Sequence, residues 1–418
     1  MGRPVRLLPR EQRGPGARHI RALRSDPTPD EARGGYQAET GTVLILSGSV
    51  GAGHDGAADE LTRRLRVEGI TVRQRDYLDA LPRFSQRMLR DGYSISVGYV
   101  PAFFQWLFAS IEHRGWVQWL AITFCDTANR RVRGWVSADV AVVVSTYPLA
   151  SQCLGRLKQT GRISQPVLTY LTDPAVHRLW VHPGVEQHLT VTAATAEQGR
   201  TQYGVAMRAV GALVPPGFSA ALSADQRSSV RARLGVGDGE PLALVVSGSL
   251  GLGEVPASVR AVQAAGIYRV AVLCGRNHRL RHEMAQLPGV LALGWRDDVA
   301  ALMGAADVLV HNAGGLSLTE AMTAGLAAVT YRPLPGHGRA NAALLARAGL
   351  APWPQTLEDL RGALAEALQR GGSGRTALIH SPDAAEMVIA RLRQARAASV
   401  PLPRPRMGRR STAAENRL

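Results

Sequence analysis

Short apolar runs recur along the chain, each closed by glycine or polar residues and followed by a stretch with helical spacing. The first, residues 42–46, is unbroken, which suits a parallel strand buried on both faces better than a half-exposed one. Residues 57–68 then read as a helix, and a second strand is predicted from Val72. Further strand-like runs lie at 139–144, 166–171 and 188–192. Beyond the turn-forming Val214-Pro-Pro-Gly217, a helix at 227–234 and a strand at 241–246 open a second series. It continues with strands at 268–274, 290–293, 308–311 and 327–331, and helices at 298–303, 319–324 and 383–398. Strands alternating with helices predict βαβ units with right-handed crossovers. The fold class expected is α/β.

One repetition sharpens this. Ser47-Gly-Ser-Val-Gly-Ala-Gly53 and Ser247-Gly-Ser-Leu-Gly-Leu-Gly253 share the pattern SGSxGxG directly after a strand. Each opens a series, so two doubly wound, Rossmann-like domains facing across a cleft are expected, with ligands at the C-terminal strand ends. The boundaries read from the pattern are 41–213 for a first half, 214–220 for a linker and 221–398 for a second half. Residues 1–40 and 399–418, rich in Arg, Pro and Gly, read as disordered basic tails.

Composition narrows the partners. At 418 residues and 45% hydrophobic, the chain can supply two cores. Its net charge of +16 comes almost wholly from arginine, since Lys158 is the only lysine. Such a balance suits an anionic membrane surface or phosphorylated substrates. Nucleic acid is disfavoured, because no binding module is visible and aromatics are only 5%. Three scattered cysteines suggest neither a disulfide framework nor a zinc site, and no secretory leader is visible, so a cytoplasmic location is expected. Residues 92–111 carry no charge but include Pro101 and Gln105, too polar and interrupted a stretch to span a bilayer.

Glycines let a turn reach positive φ and let a ligand approach the main chain, and helix N-termini favour anions. Either SGSxGxG loop could therefore hold a phosphate, or serve only a tight turn. Neither ends in the Gly-Lys-Ser/Thr of a Walker A motif. His54 follows the first loop, where a neutral imidazole could accept a proton from an attacking hydroxyl. A second constellation runs from Asn312 to Glu320. Gly314 and Gly315 would present backbone N–H groups, Ser317 and Thr319 hydroxyls, and Glu320 a carboxylate able to accept from vicinal ribose hydroxyls.

These residues carry a resemblance. Gly294-Trp295, Leu302-Met303, Ala306-Asp307, Asn312 through Gly315, Glu320-Ala321 and Gly325 resemble the donor half of glycosyltransferase family 28, especially the monogalactosyldiacylglycerol synthase type. Cys274-Gly-Arg-Asn277 is similar to that family's CGxN strand end, Gly51-Ala-Gly-His54 to its GGGH loop, and Thr172-Asp173 with His177 and Trp180 to its TDxxxHxxW segment. The resemblance spans about residues 42–395 and implies a GT-B fold. It implies donor contacts from Gly248, Ser249, Gly251, Gly253, Asn277, Trp295, Asn312, Gly314, Gly315, Ser317 and Glu320, with His337 and Asn341 beyond. His54 or Asp173 would be the base, and Gly51, Gly53, His177 and Trp180 would sit at the acceptor side. One departure stands out: where the family usually reads PGxE, this chain has Pro335-Gly336-His337-Gly338, so His337 is the candidate substitute and the sugar stays open.

Residues 93–124 interleave Phe103, Phe104, Trp106 and other aromatics with basic residues, as an interfacial segment does, although such helices could simply cover the sheet. The resemblance implies inverting transfer of a hexose from a UDP-sugar to the hydroxyl of a diacylglycerol-like lipid. It further implies no metal and no cofactor beyond that co-substrate, on the inner face of the plasma membrane. A soluble-acceptor transferase, a nucleotide-sugar 2-epimerase and a catalytically impaired nucleotide-sugar-binding protein are the alternatives.

Overall fold

In the computed structural model the described residues are 41–113, 115–312, 314–370 and 381–399, so both predicted tails lie outside them except for Ser399, which ends a helix. The first series runs β1 (Thr42–Ser47), α1 (Ala52–Val67), β2 (Val72–Asp76), α2 (Arg83–Tyr99), α3 (Pro101–Glu112), α4 (Trp116–Asp126), α5 (Asn129–Trp135), β3 (Val140–Ser145), α6 (Pro148–Gln159), β4 (Val167–Tyr170), β5 (Gln187–Thr190), α7 (Ala193–Tyr203) and β6 (Met207–Ala209). The second runs α8 (Ala224–Arg233), β7 (Leu242–Val246), α9 (Val255–Ala264), β8 (Arg269–Leu273), α10 (His278–Met284), β9 (Val290–Leu293), α11 (Val299–Ala305), β10 (Val308–His311), α12 (Gly315–Ala324), β11 (Ala328–Thr330), α13 (His337–Arg347), α14 (Leu357–Arg370) and α15 (Ala384–Ser399).

Two sheets result, in strand orders β2-β1-β3-β4-β5-β6 and β11-β10-β7-β8-β9, with every pairing parallel. The unbroken apolar runs are explained by burial on both faces. Val43 and Ile45 of β1 pack with Leu61 and Leu65 of α1, whereas Leu44 and Leu46 face Tyr77, Leu78 and Leu154. Strand order reverses between β1 and β3 in the first sheet and between β7 and β10 in the second. The loops leaving those strands diverge there, which opens a crevice at the C-terminal ends.

Several sequence-based boundaries shift. α1 and α12 begin five and four residues earlier than predicted, because glycines at 53, 56 and 315 sit inside their first turns. α8 begins at Ala224 behind a capping box in which Ser223 and Gln226 satisfy each other's backbone N–H. The run of helices α2–α5 was legible only as an aromatic stretch. α15, expected in the second half, instead puts Ala384, Ala385, Val388 and Leu392 into the core of the first sheet. Its side of the crossing is fixed by Arg64 of α1, whose guanidinium donates to Asp383 Oδ2 at 2.9 Å and to the carbonyls of Ala212 and Val214 at 2.9 and 3.1 Å. Among the described residues no helix is long and apolar enough to cross a membrane.

Candidate active site

The two switch points face one cavity of about 180 Å³. From the first half it is lined by Gly51, Ala52, Gly53, His54, Thr172 and Asp173. From the second come the loop after β7, with Gly248 and Ser249, and the start of α12, with Asn312, Gly314, Gly315 and Ser317, followed by His337. The halves meet closely: Ala52 N–H donates to Ser249 Oγ at 3.4 Å, and a Cβ at Gly315 would stand 2.0 Å from the Thr172 carbonyl oxygen. That contact alone demands glycine at 315.

Two helices aim their N-termini at the cavity. α1 starts behind Gly51 and α12 behind Gly314, so neither N-cap residue supplies a side-chain cap, and Ser249 Oγ accepts only from Ala52 N–H, at 3.4 Å. Uncapped first-turn N–H groups need an acceptor, and the helix dipoles favour a negative one. The arrangement suits an anion with several oxygens.

His54 lies in the first turn of α1. Its Nδ1 is 2.8 Å from the Thr146 carbonyl oxygen and 2.9 Å from Thr172 Oγ1. A carbonyl can only accept, so Nδ1 carries the proton and Nε2 keeps the free lone pair. Burial lowers the pKa of His54 below the usual value, while Asp173 pulls the other way. The ring is therefore neutral near pH 7 and basic at the nitrogen not used for anchoring.

Asp173 differs. Its Oδ2 accepts from the Trp180 indole at 2.9 Å and lies 3.4 Å from His177 Nε2, and its Oδ1 lies 3.5 Å from Asn341 Nδ2. Burial alone would raise its pKa, but the His177 hydrogen bond and the charges of His177, His337 and His54 hold it well below the carboxylate range. Its lone pairs are occupied and its proton affinity is low. Trp180 is fully buried, with its ring tilted against that of His54 at 6.0 Å between centroids, so it stands behind the site and not on an open acceptor face. His177 is likewise buried.

The remaining donor-side residues divide into two groups. Gly251, Asn277 and Asn312 build the loop after β7: Asn277 donates to the Gly251 carbonyl at 3.1 Å, and Asn312 to that of Leu252 at 2.7 Å. One donor of each amide is thus spent on holding the loop. Gly248, Gly251 and Gly253 take positive φ of 72°, 59° and 94°. Asn341 is buried, and its Oδ1 accepts from Ala175 N–H at 2.9 Å, pinning the first half to α13. Trp295 instead lines a neighbouring cavity of about 330 Å³ with Arg276, Asn277 and Arg281. The Arg276 guanidinium sits 4.5 Å from its ring centroid. Glu320 sits one turn below Leu316 on the same face of α12. Burial pushes its pKa up to about 8, the mark of a carboxyl short of donors. Phe103 and Trp106 are half exposed on the outer side of α3, whereas Phe104 turns inward to His337. Thr146 and Gln105 had no distinctive spacing, and only the fold reveals their roles; Thr172 was legible as part of a motif, but not as a partner of His54.

Comparisons with known proteins agree with this architecture. The chain resembles the glycosyltransferase SnogD from Streptomyces nogalater (TM-score 0.54, 19% identity, 85% of this chain and 100% of that one) and MurG of Acinetobacter baumannii (TM-score 0.53, 19% identity, 85% and 99%). Its fold is GT-B. Residues 54–211 match the family described as Monogalactosyldiacylglycerol (MGDG) synthase. Over 342 residues the chain is 24% identical to the processive diacylglycerol beta-glucosyltransferase of Bacillus pumilus, covering 78% of this chain and 86% of that protein. The Bacillus cereus protein of the same name is 24% identical over 318 residues, 74% of this chain and 81% of that one. The chain is thus a glycosyltransferase of the GT-B fold that is similar, over residues 54–211, to the monogalactosyldiacylglycerol synthase type.

Proposed function

We propose that the chain transfers a hexose from a UDP-sugar to the hydroxyl of a diacylglycerol-like lipid, with inversion and without a metal. The carrying observation is the free Nε2 of His54, set between two uncapped helix N-termini. The acceptor oxygen attacks the anomeric carbon while Nε2 removes its proton. The bond from that carbon to the diphosphate oxygen breaks, and UDP leaves with its charge met by the N-terminus of α12 and the loop after β7. Asp173 stays ionised and steadies the imidazolium as it forms. The uracil would lie in the Trp295 cavity, which adjoins the loop because Gly275 packs against Ser249. Glu320 would accept from the ribose hydroxyls.

Lipid as acceptor is supported by the relatives' names and by an exposed apolar face. Phe84 and Met88 of α2, Phe103 and Trp106 of α3, and Trp116, Trp119 and Leu120 of α4 are all 46–79% exposed. Exposed Arg83 and Arg87 stand among them. Aromatics beside arginines suit an anionic headgroup layer, and the cytoplasmic leaflet is the proposed location.

The test is incubation with radiolabelled UDP-glucose and UDP-galactose, with diacylglycerol in anionic vesicles. Label in the lipid phase is the expected result. Free sugar would instead favour an epimerase or hydrolase, and binding without turnover a sensor.

A further inference from the structure

Not one described residue of α3 is fully buried, yet the helix touches both halves of the molecule. Its C-terminal end is tied to the first half. Glu112 accepts from Arg178 N–H at 2.8 Å and from the Tyr203 hydroxyl at 2.6 Å. Its middle reaches the second half: Gln105 Oε1 accepts from Gly336 N–H at 2.6 Å. Phe104 and Phe108 lie 6.1 and 6.4 Å from the His337 ring, and Phe108 lies 5.5 Å from that of His177. Positions 104, 105, 108 and 112 form one helical face, and the exposed positions 103 and 106 form the other.

The contact is built to be close. Gly336 has φ +71°, and a Cβ there would stand 2.9 Å from Phe104 Cε1 and 3.1 Å from Phe108 Cβ. Only glycine satisfies both the backbone and the space. Gly336 is also the N-cap of α13, whose first residue, His337, lines the reaction cavity. Fixing Gly336 therefore fixes where His337 points.

We propose that α3 is a latch across the cleft, in which Gln105 is a positioning residue that holds the 335–338 loop against the donor sugar. The latch rests on the donor-site reading under the proposed function. Because so little of α3 is buried, its seating depends on a few contacts and is cheaply undone. Gln105 touches neither the nucleotide cavity nor His54, so its loss falls on the sugar end of the donor.

Two variants test this. Gln105→Met keeps the size and removes the acceptor, whereas Gln105→Glu keeps an acceptor oxygen. With diacylglycerol in mixed micelles, Gln105→Met should raise the KM for the UDP-sugar by about tenfold, the scale of one lost hydrogen bond to a backbone amide. Inhibition by UDP should stay within about twofold, and Gln105→Glu should restore the wild-type KM. Amide exchange at Gly336 in the free protein should quicken by about tenfold in Gln105→Met, a readout that needs no turnover. Unchanged exchange would overturn the latch even if the transferase assay succeeds. So would a UDP affinity that falls in step with the donor KM, or a Gln105→Glu variant as impaired as Gln105→Met. Altered exchange in a protein that turns over no UDP-sugar would leave the latch standing and remove the transferase reading.

Discussion

The two SGSxGxG loops carry nearly the same string and build different objects. After Gly53 the chain reads His-Asp-Gly-Ala-Ala-Asp-Glu-Leu, and α1 already runs from Ala52. Gly51 there has an extended φ of −153° and open space around it. After Gly253 the chain reads Glu-Val-Pro, and Pro256 is tolerated only in a helix's first turn, so α9 waits until Val255. The glycines it leaves behind coil through three positive φ values. One loop becomes a helix end presenting the His54 imidazole; the other becomes a left-handed cradle. The residues downstream of a glycine motif decide its geometry as much as the motif does.

That contrast can be broken most forcefully at the base. His54→Ala should lower transfer by a factor of about 10² to 10⁴, with UDP affinity measured by calorimetry unchanged. In the wild-type enzyme kcat/KM should fall as pH drops through the lowered pKa of His54, below the ordinary histidine range, because only the neutral ring accepts a proton. A variant that keeps full turnover would remove His54 from the chemistry.

Glycine replacements come next. Gly251→Ala forces a side chain into positive φ, with its Cβ 2.7 Å from the Cys274 carbonyl oxygen. It should destabilise by about 1–3 kcal/mol and weaken UDP binding. Gly51→Ala meets nothing within 4 Å and should cost less than about 0.5 kcal/mol in denaturant unfolding. Equal losses at the two sites would mean that the loops are not distinct in kind.

The last test concerns Glu320, whose pKa in the folded chain, about 8, lies above the ordinary glutamate value of 4.5. The folded state then holds its proton longer than the unfolded chain does, so stability declines as pH rises from about 4.5 to about 8 and levels off beyond. Glu320→Gln should flatten that decline in thermal melts across the range, while weakening the binding of UDP but not of uracil.

Much of this was legible beforehand because burial on both sheet faces leaves unbroken apolar runs. The strands predicted at 290–293 and 308–311 match β9 and β10 residue for residue. Helix starts were less legible, since Gly53 and Gly315 read as loop until a helix dipole and a facing half fix them. At the site, His54 and Asp173 could be found by type but not told apart. The distinction lies in the Thr146 carbonyl and the Trp180 indole, partners that only the fold brings near. Trp180 and Asn341 were read as ligand contacts, yet each has its polar group engaged by protein, which sequence spacing cannot reveal. Gln105 was legible only as a polar interruption of an apolar, aromatic stretch.

The return of α15 to the first sheet has a consequence for biogenesis. The half synthesised first lacks part of the cover for Val142 and Val144 of β3 until the ribosome has also made the second half and α15. A nascent chain therefore finishes its second half while the first still shows an oily flank to the cell, and a stop codon ahead of Ala384 would strand it there.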